Sequence, residues 1–234
     1  MTRRDLRRAG WGIGLVIALA ELSFAVYPQI DIGFSKLFYQ PQAGFALAGS
    51  MALESFRDLV WNLSIIMFVL SVVGAGLAWA KGRFLSLGLR EWGFIALLYI
   101  LGPVFLVNGV LKEHWGRARP ADVTEFGGPH SFTTPWLPSD QCATNCSFVS
   151  GEVSSAVVLA VALLMLRPGL SRHLPGWILK IWTLAVLAIP VAVMLQRIAT
   201  GRHFLSDTLF AALFMLALAL LLHAVIWRRD GPAP

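Results

Sequence analysis

Residues 205–227, LSDTLFAALFMLALALLLHAVIW, form an apolar run with one carboxylate, Asp207, near its start. A helix needs about 20 such residues to cross the roughly 30 Å hydrocarbon layer of a membrane. Similar runs are continuous rather than alternating, which argues against membrane β-strands, and lie at about 10–29, 59–80, 92–111, 151–167 and 177–196. With 57% hydrophobic and 14% charged residues, the sequence predicts an all-α integral membrane protein with six transmembrane helices.

The placement of basic residues predicts the topology. A net charge of +6 would suggest a nucleic-acid partner in a soluble protein, but in a membrane protein the position of each Lys and Arg is more informative, and we expect no nucleic acid. One side of a six-helix topology carries twelve of the 19 basic residues, in TRRDLRRAG, KGRFLSLGLR, RPGLSRHLPGWILK and WRRDGPAP. We expect this side, with both termini, to be cytoplasmic.

The outer face then holds the linkers 30–58, 112–150 and 197–204. The first linker mixes aromatic and polar residues, which predicts that it lies along the membrane interface with four apolar side chains toward lipid: Phe34, Leu37, Phe38 and Phe45. The second contains GGPHSFTTPWLPSD, whose Gly and Pro residues favour irregular structure over the membrane surface.

Cys142 and Cys146, the only two cysteines, also fall on the outer face. A disulfide is expected if the compartment is oxidising. Two unpaired cysteines are an equally open alternative, because a spacing of four residues constrains the bridge geometry tightly.

Polar clusters at three helix ends on the outer face contain the groups that phosphoryl transfer requires. Guanidinium and ammonium groups bind the oxygens of a phosphate, and Lys112, Arg119 and Arg197 are candidates for this role. Ser150 and Gly151 open a helix, where backbone N–H groups and the helix dipole favour an anion. The clusters are KEHWGRARP at 112–120, SGE at 150–152 and RIATGRHFLSD at 197–207.

His203 is the candidate nucleophile. Its imidazole could attack phosphorus directly, and Asp207, one helical turn later, could hold the other ring nitrogen so that the attacking lone pair points outward. This scheme requires neither a metal ion nor another cofactor.

These clusters resemble the three motifs of the type 2 phosphatidic acid phosphatases (PAP2), the membrane branch of the superfamily that includes vanadate-dependent haloperoxidases. Lys112–Pro120 matches the first motif in full, and Arg197–Asp207 matches the third, except that Gln196 replaces the Ser that usually precedes it. The second motif is usually Pro-Ser-Gly-His and here reads Val-Ser-Gly-Glu at 149–152. In order and on one face, the three motifs are much more specific than any one of them.

The resemblance implies a PAP2-like helical bundle with the phosphatase core at 92–230, preceded at 1–91 by two helices and the interfacial linker. It implies that His203 forms a phosphohistidine, that Asp207 orients it, and that Lys112, Arg119 and Arg197 bind the phosphate. The general acid of the family is the His of the second motif, which is Glu152 here.

Three interpretations of Glu152 stay open at this stage. It could replace the missing His as acid and base if its carboxyl group is protonated when needed. Alternatively, another group such as His114 or His130 supplies the proton, and Glu152 orients the substrate. In the third interpretation, Glu152 is only a favourable charge at a helix start, worth roughly 0.3–1 kcal/mol.

Three further charged residues have no firm assignment. Arg117 either adds to the phosphate clamp or faces water, and Arg202 is an anchor or a headgroup contact. Glu21 lies within an apolar run and has no explanation from sequence.

The expected function is hydrolysis of a lipid phosphate or pyrophosphate at the periplasmic face of a bacterial inner membrane. Members of the family act on lipid A phosphates, undecaprenyl pyrophosphate and phosphatidylglycerophosphate, and the linker FYQPQAGFAL with the SGE motif is most similar to lipid A phosphatases. Alternatives are a non-catalytic lipid phosphate binder that has lost its acid and, less favoured, a transporter.

Overall fold

The computed structural model describes residues 3–227, which form a helical membrane domain. The long helices are α1 (Arg3–Val26), α3 (Met51–Lys81), α4 (Leu89–Tyr99), α6 (Gly151–Leu170), α7 (Gly176–Ala199) and α8 (Leu205–Ile226). The short elements are α2 (Gln29–Lys36), the strands β1 (Tyr39–Gln40) and β2 (Gly44–Phe45), α5 (Lys112–His114) and single 3₁₀ turns.

Six segments of the described chain are long and apolar enough to span a membrane, which confirms the predicted fold class. Their limits are close to the predicted runs, except that α1 begins at Arg3 rather than near residue 10 and α3 begins at Met51 rather than near residue 59. The side chain of Ser50 caps this helix by accepting from the N–H of Leu53. Because of this early start, Glu54 and Arg57 lie on the first turns of a helix and not in a loop.

The third span changes its helical geometry on the way to the outer face. Beyond α4 the chain continues as a π-helix (Ile100–Leu111) that contains Pro103 and leads into the single turn α5. Proline has no N–H to donate and crowds the preceding turn, so it disrupts an α-helix. The side-chain amide of Asn108 donates to the carbonyl of Pro103 at 2.7 Å, which satisfies one backbone acceptor within the span.

Helix α6 is the centre of the bundle. It packs against α3, α4, α7 and α8, while α1 packs mainly on α8 at the periphery. The first half of α6 is almost continuously buried. Its N-terminus, with the second motif, is therefore enclosed by the ends of the surrounding helices.

A second apolar cluster joins the outer linkers to each other. Phe45 from the first linker is 7% exposed and packs with Phe126 and Tyr39, so the prediction that Phe45 faces lipid is wrong. Leu37 is 71% exposed, whereas Phe34 and Phe38 are half-buried. Phe45 also approaches Gly201, where a φ of +67° and the Phe45 ring, which an added Cβ would overlap, require glycine. The first linker thereby rests on the third motif.

Part of the charge pattern used to predict the topology lies outside the described residues, namely Arg228 and Arg229. The same holds for the end of the predicted core at residue 230.

Candidate active site

The three polar clusters converge at one end of the bundle. The first lies at α5 and the loop that follows, the second at the first turn of α6, and the third at the end of α7 and the start of α8. The backbone N–H of Ser150 donates to the carbonyl of Asp207 at 3.2 Å, and the N–H of Ser147 donates to the carbonyl of Arg117 at 2.9 Å. These bonds tie the three clusters together directly.

A cavity of about 370 Å³ opens between them. It contains the three predicted phosphate-binding cations, two further arginines and two carboxylates. Its lining is Glu54, Arg57, Trp61, Asn108, Lys112, Arg119, Asn145, Gly151, Glu152, Arg197 and Arg202. An excess of cationic groups in a partly enclosed space favours an anionic ligand.

His203 lies behind this cavity and is 1% exposed. Its Nδ1 is 2.9 Å from the carbonyl oxygen of Ser147. Because a carbonyl can only accept, Nδ1 carries the proton and Nε2 carries the lone pair. Nε2 has no hydrogen-bond partner among the described residues, and it lies 3.5 Å from Oε2 of Glu152. The ring is therefore held in the tautomer that a nucleophile requires.

Glu152 lies at the junction of the histidine and the cations. Besides its contact with His203, its Oε1 is 3.4 Å from Nη2 of Arg197 and 3.7 Å from Nη2 of Arg57. Its side chain is 15% exposed and borders the cavity. Glu152 therefore lies between the candidate nucleophile and two cations of the cavity, and its role in the chemistry stays a prediction.

Comparison with known proteins now identifies the family. A sequence model of the PAP2 superfamily matches residues 92–230. The chain belongs to the PAP2 superfamily. This confirms the membership predicted from the three motifs.

Full-length relatives agree with this membership. The chain is 29% identical over 225 residues to a lipid A 4'-phosphatase of Francisella tularensis subsp. novicida, covering 93% of this chain and 96% of the relative. It is 33% identical over 205 residues to a lipid A 4'-phosphatase of Rhizobium etli, covering 79% and 74%. The prediction of a membrane phosphatase of the PAP2 superfamily is thereby confirmed.

A solved structure shares the fold. The transmembrane PAP2 type phosphatidylglycerolphosphate phosphatase from Bacillus subtilis superimposes with a TM-score of 0.51 at 23% identity, covering 94% of this chain and 95% of that chain. At this identity the likeness concerns the arrangement of helices only.

Within this PAP2 fold, Asp207 does not contact the imidazole at hydrogen-bond distance. Its Oδ2 is 3.9 Å from Nδ1 of His203, and the same oxygen accepts from the hydroxyl of Ser147 at 2.5 Å and from the N–H of Phe204 at 2.9 Å. The carbonyl of Ser147 holds the ring. The orienting role of Asp207 stays a prediction, and the structure provides Ser147 as the residue that connects the two.

Arg117 has neither of the two positions considered from sequence. It is fully buried between two carboxylates, with Nη1 2.5 Å from Asp207 and Nη2 2.8 Å from Asp31. Burial by itself would lower the pKa of Arg117, but the carboxylates of Asp207 and Asp31 outweigh it and raise that pKa. Burial raises the pKa of Asp31; Arg117 opposes this and Asp207 adds to it. The guanidinium of Arg117 thus forms ion pairs with two carboxylates.

Only part of the predicted anion site at the start of α6 is available to bind a ligand. Ser150 is fully buried, its hydroxyl caps the helix by accepting from Val153, and its N–H is used by Asp207. Gly151 borders the cavity, and an added Cβ there would lie 3.3 Å from the side-chain oxygen of Asn108. Of the two predicted residues, Gly151 is the one that borders the cavity.

The disulfide loop forms one wall of the cavity. The structure joins Cys142 to Cys146 with a Cα–Cα distance of 5.7 Å. Nη2 of Arg119 donates to the carbonyl of Asn145 inside this loop at 2.9 Å, and the N–H of Cys146 donates to the carbonyl of Lys112 at 3.0 Å. The loop therefore holds both residues of the first motif.

The alternative acids are placed away from the cavity. His114 and His130 are exposed, and neither borders the cavity. Sequence analysis missed Glu54, Arg57, Asn108, Ser147 and Asp31. Arg57 and Asn108 had a signal, since a basic residue on the outer face and an amide in an apolar run are both unusual; Ser147 and Asp31 had none.

Proposed function

We propose that this protein removes a phosphate group from a membrane lipid through a phosphohistidine at His203. The observation that carries the proposal is the state of the imidazole: Nδ1 donates to Ser147, and Nε2 is unpartnered among the described residues next to a cation-lined cavity. A nucleophile of this kind needs its lone pair free and its ring fixed.

Substrate binding begins when the phosphate group replaces Glu152 as the partner of the guanidinium groups. The carboxylate of Glu152 contacts Arg197 and Arg57 and covers Nε2 of His203. A phosphate group carries more charge than a carboxylate and can accept from several donors at once, so it competes for the same cations. Binding therefore displaces Glu152 from the guanidinium groups and opens Nε2, and the displaced carboxylate takes up a proton from solvent.

In the first chemical step, the Nε2 lone pair forms a bond to phosphorus while the bond from phosphorus to the lipid oxygen breaks. The leaving oxygen takes a proton from Glu152 in its protonated form, which yields a lipid alcohol and a glutamate carboxylate. Lys112, Arg119 and Arg197 stabilise the charge on the phosphoryl oxygens in the transition state.

In the second step, water attacks the phosphohistidine. Glu152 accepts a proton from this water, the bond from Nε2 to phosphorus breaks, and inorganic phosphate leaves. His203 returns to its neutral form. Glu152 gives its proton back to solvent when the phosphate leaves and its carboxylate contacts Arg197 again, so one water is consumed per phosphate released.

The substrate we propose is a lipid A-type phosphate, with the site on the periplasmic face of a bacterial inner membrane. The names of the two relatives support the substrate, and the distribution of Lys and Arg supports the orientation. The site lies at the ends of the spans, where a lipid headgroup meets it before a solute does.

The test is phosphate release by the purified protein in chelator. Lipid A, undecaprenyl pyrophosphate and phosphatidylglycerophosphate are compared, with lipid A species that carry one phosphate at either end to define the position. His203→Ala is paired with His114→Ala, an exposed histidine near the same face, and Glu152→Gln is paired with Glu91→Gln, which caps α4 at the other end of the bundle.

We expect release from lipid A at the 4' position. His203→Ala loses about 10⁴-fold or more in kcat, Glu152→Gln loses about 10²–10⁴-fold, and both controls retain activity. Turnover by His203→Ala would refute the phosphohistidine, and turnover by Glu152→Gln would place the acid elsewhere. Binding of lipid phosphate without release by the wild type would identify a binder, and preference for another lipid would replace the substrate.

A further inference from the structure

The fully buried carboxylate of Asp31 lies outside the residues that the family model matches, yet it reaches the catalytic end of the bundle. It comes from α2, in the linker between the first two spans. Its Oδ2 is 2.8 Å from Nη2 of Arg117 and accepts from the hydroxyl of Ser206 at 2.5 Å. Its Oδ1 accepts from the backbone N–H of Ser206 at 2.8 Å.

This last bond places Asp31 at the start of α8. Ser206 lies in the first turn of that helix, where a backbone N–H has no acceptor within the helix. Asp207 is the next residue. Asp31 therefore anchors the turn that carries the carboxylate of the third motif, and it does so from a separate helix.

Arg117 carries the contact onward. One side of its guanidinium meets Asp31, and the other donates from Nη1 to Oδ1 of Asp207 at 2.5 Å and to the hydroxyl of Ser206 at 2.8 Å. Its Nε donates to the carbonyl of Thr133 at 2.9 Å, and its Cζ lies 4.5 Å from the centre of the Phe204 ring. A planar guanidinium group held by this many contacts has one orientation.

From Asp207 the contacts end at the nucleophile. The carboxylate receives the Ser147 hydroxyl on Oδ2, and the Ser147 carbonyl receives Nδ1–H of His203. Asp31, Arg117, Asp207, Ser147 and His203 thus form one continuous buried series.

Charge balance does not require Asp31. Arg117 and Asp207 already form a buried ion pair, and a second carboxylate without its own cation adds a desolvation cost. Its position fixes both the guanidinium of Arg117 and the first turn of α8.

We propose that Asp31 is a positioning residue for the reaction, acting through Arg117 and Asp207 to hold the ring of His203. The inference rests on the phosphohistidine proposed above. Asp31 touches neither the cavity nor the imidazole, so its loss acts on the chemical step and leaves substrate binding by Lys112 and Arg197 intact.

The experiment compares Asp31→Asn with wild type for kcat, KM, inhibition by inorganic phosphate and melting temperature, with Glu91→Gln as the matched acid-to-amide control. We expect kcat to fall roughly tenfold to a hundredfold, as for a small misplacement of a reacting group, with KM and phosphate inhibition unchanged. Combination with Ser147→Ala should give less than the product of the two single effects, because both act through one series.

Several results would overturn the proposal. A lower melting temperature with wild-type kcat would make Asp31 purely structural. A changed KM or phosphate inhibition with wild-type kcat would place it in binding, and independent effects of Asp31→Asn and Ser147→Ala would contradict the series. If Asp31→Asn does not fold, Ser206→Ala removes the hydroxyl shared with Arg117, and unchanged kcat there refutes the proposal. Loss of activity in His203→Ala tests the phosphohistidine separately, and a wild type that releases no phosphate overturns both proposals.

Discussion

The cavity and the buried network next to it contain the same kinds of charge, but they hold them differently. Around Arg117 the ion pairs measure 2.5 and 2.8 Å, and all three side chains are fully buried. In the cavity, Glu152 lies 3.4 Å from Arg197 and 3.7 Å from Arg57. Nε of Arg197 has no hydrogen-bond partner among the described residues. Saturated pairs fix a geometry, whereas cations with spare donors are available to a ligand.

The difference between the two regions is tested most directly by removing the guanidinium of Arg117, which Asp31 and Asp207 share. Arg117→Met leaves Asp31 and Asp207 buried without a cation, and we expect the free energy of unfolding to fall by about 3–5 kcal/mol. Activity should fall with it, because Asp207 loses its main partner. Unfolding in a denaturing detergent, followed by circular dichroism, measures the change; Arg83→Met, an exposed arginine at the other end of the bundle, is the control. Unchanged stability would contradict the view that the network is structural.

Removing a cation from the cavity should lower the activity and leave the stability nearly unchanged. For Arg197→Gln we expect kcat/KM to fall about 10²–10³-fold, as for other groups that stabilise transition-state charge, while the melting temperature stays close to that of the wild type. The reason is that the contacts of Arg197 within the protein are long and incomplete. Phosphate release and thermal melting on the same preparation check both halves. A large loss of stability with retained activity would reverse the roles of the two regions.

Added salt should produce the smallest of these effects, and it distinguishes the open cavity from the buried network. Raising the salt concentration shortens the Debye length from about 10 Å at 0.1 M toward 3 Å at 1 M and screens exposed charges more than buried ones. We expect KM for an anionic lipid to rise, because the cavity is open, while kcat and the melting temperature change little. Steady-state kinetics at fixed detergent concentration measure this; a fall in kcat alone would indicate that the buried network is accessible to ions.

Much of the site was predictable because its residues lie in short motifs at helix ends. Lys112, Arg119, Arg197 and Glu152 all border one cavity, and His203 contacts Glu152. Apolar runs fix where a chain enters and leaves the membrane, and a polar residue at the end of a run must lie at a membrane face. The sequence therefore places these groups at one level.

The positions that sequence analysis missed or misplaced depend on contacts between distant segments. Phe45 looked like a lipid-facing aromatic residue, but it packs against Phe126 and Gly201 from two other outer segments. Arg57 was assigned to a linker because polar residues at the start of α3 hide its true beginning at Met51. An amphipathic pattern indicates which side is apolar, but it does not indicate whether lipid or protein covers that side.

The sequence by itself determined that this chain crosses a membrane six times and carries the three phosphatase motifs on one face, because hydrophobic length and motif spacing are local properties. Only the tertiary structure decided that Ser147, rather than Asp207, holds Nδ1 of His203, and that Arg117 is buried between Asp31 and Asp207. These pairings join residues far apart in the chain. Their geometry follows from how α2 and α6 pack against α8 and from the path of the loop between α5 and α6, since a hydrogen bond depends on tenths of an ångström that no spacing along the chain encodes.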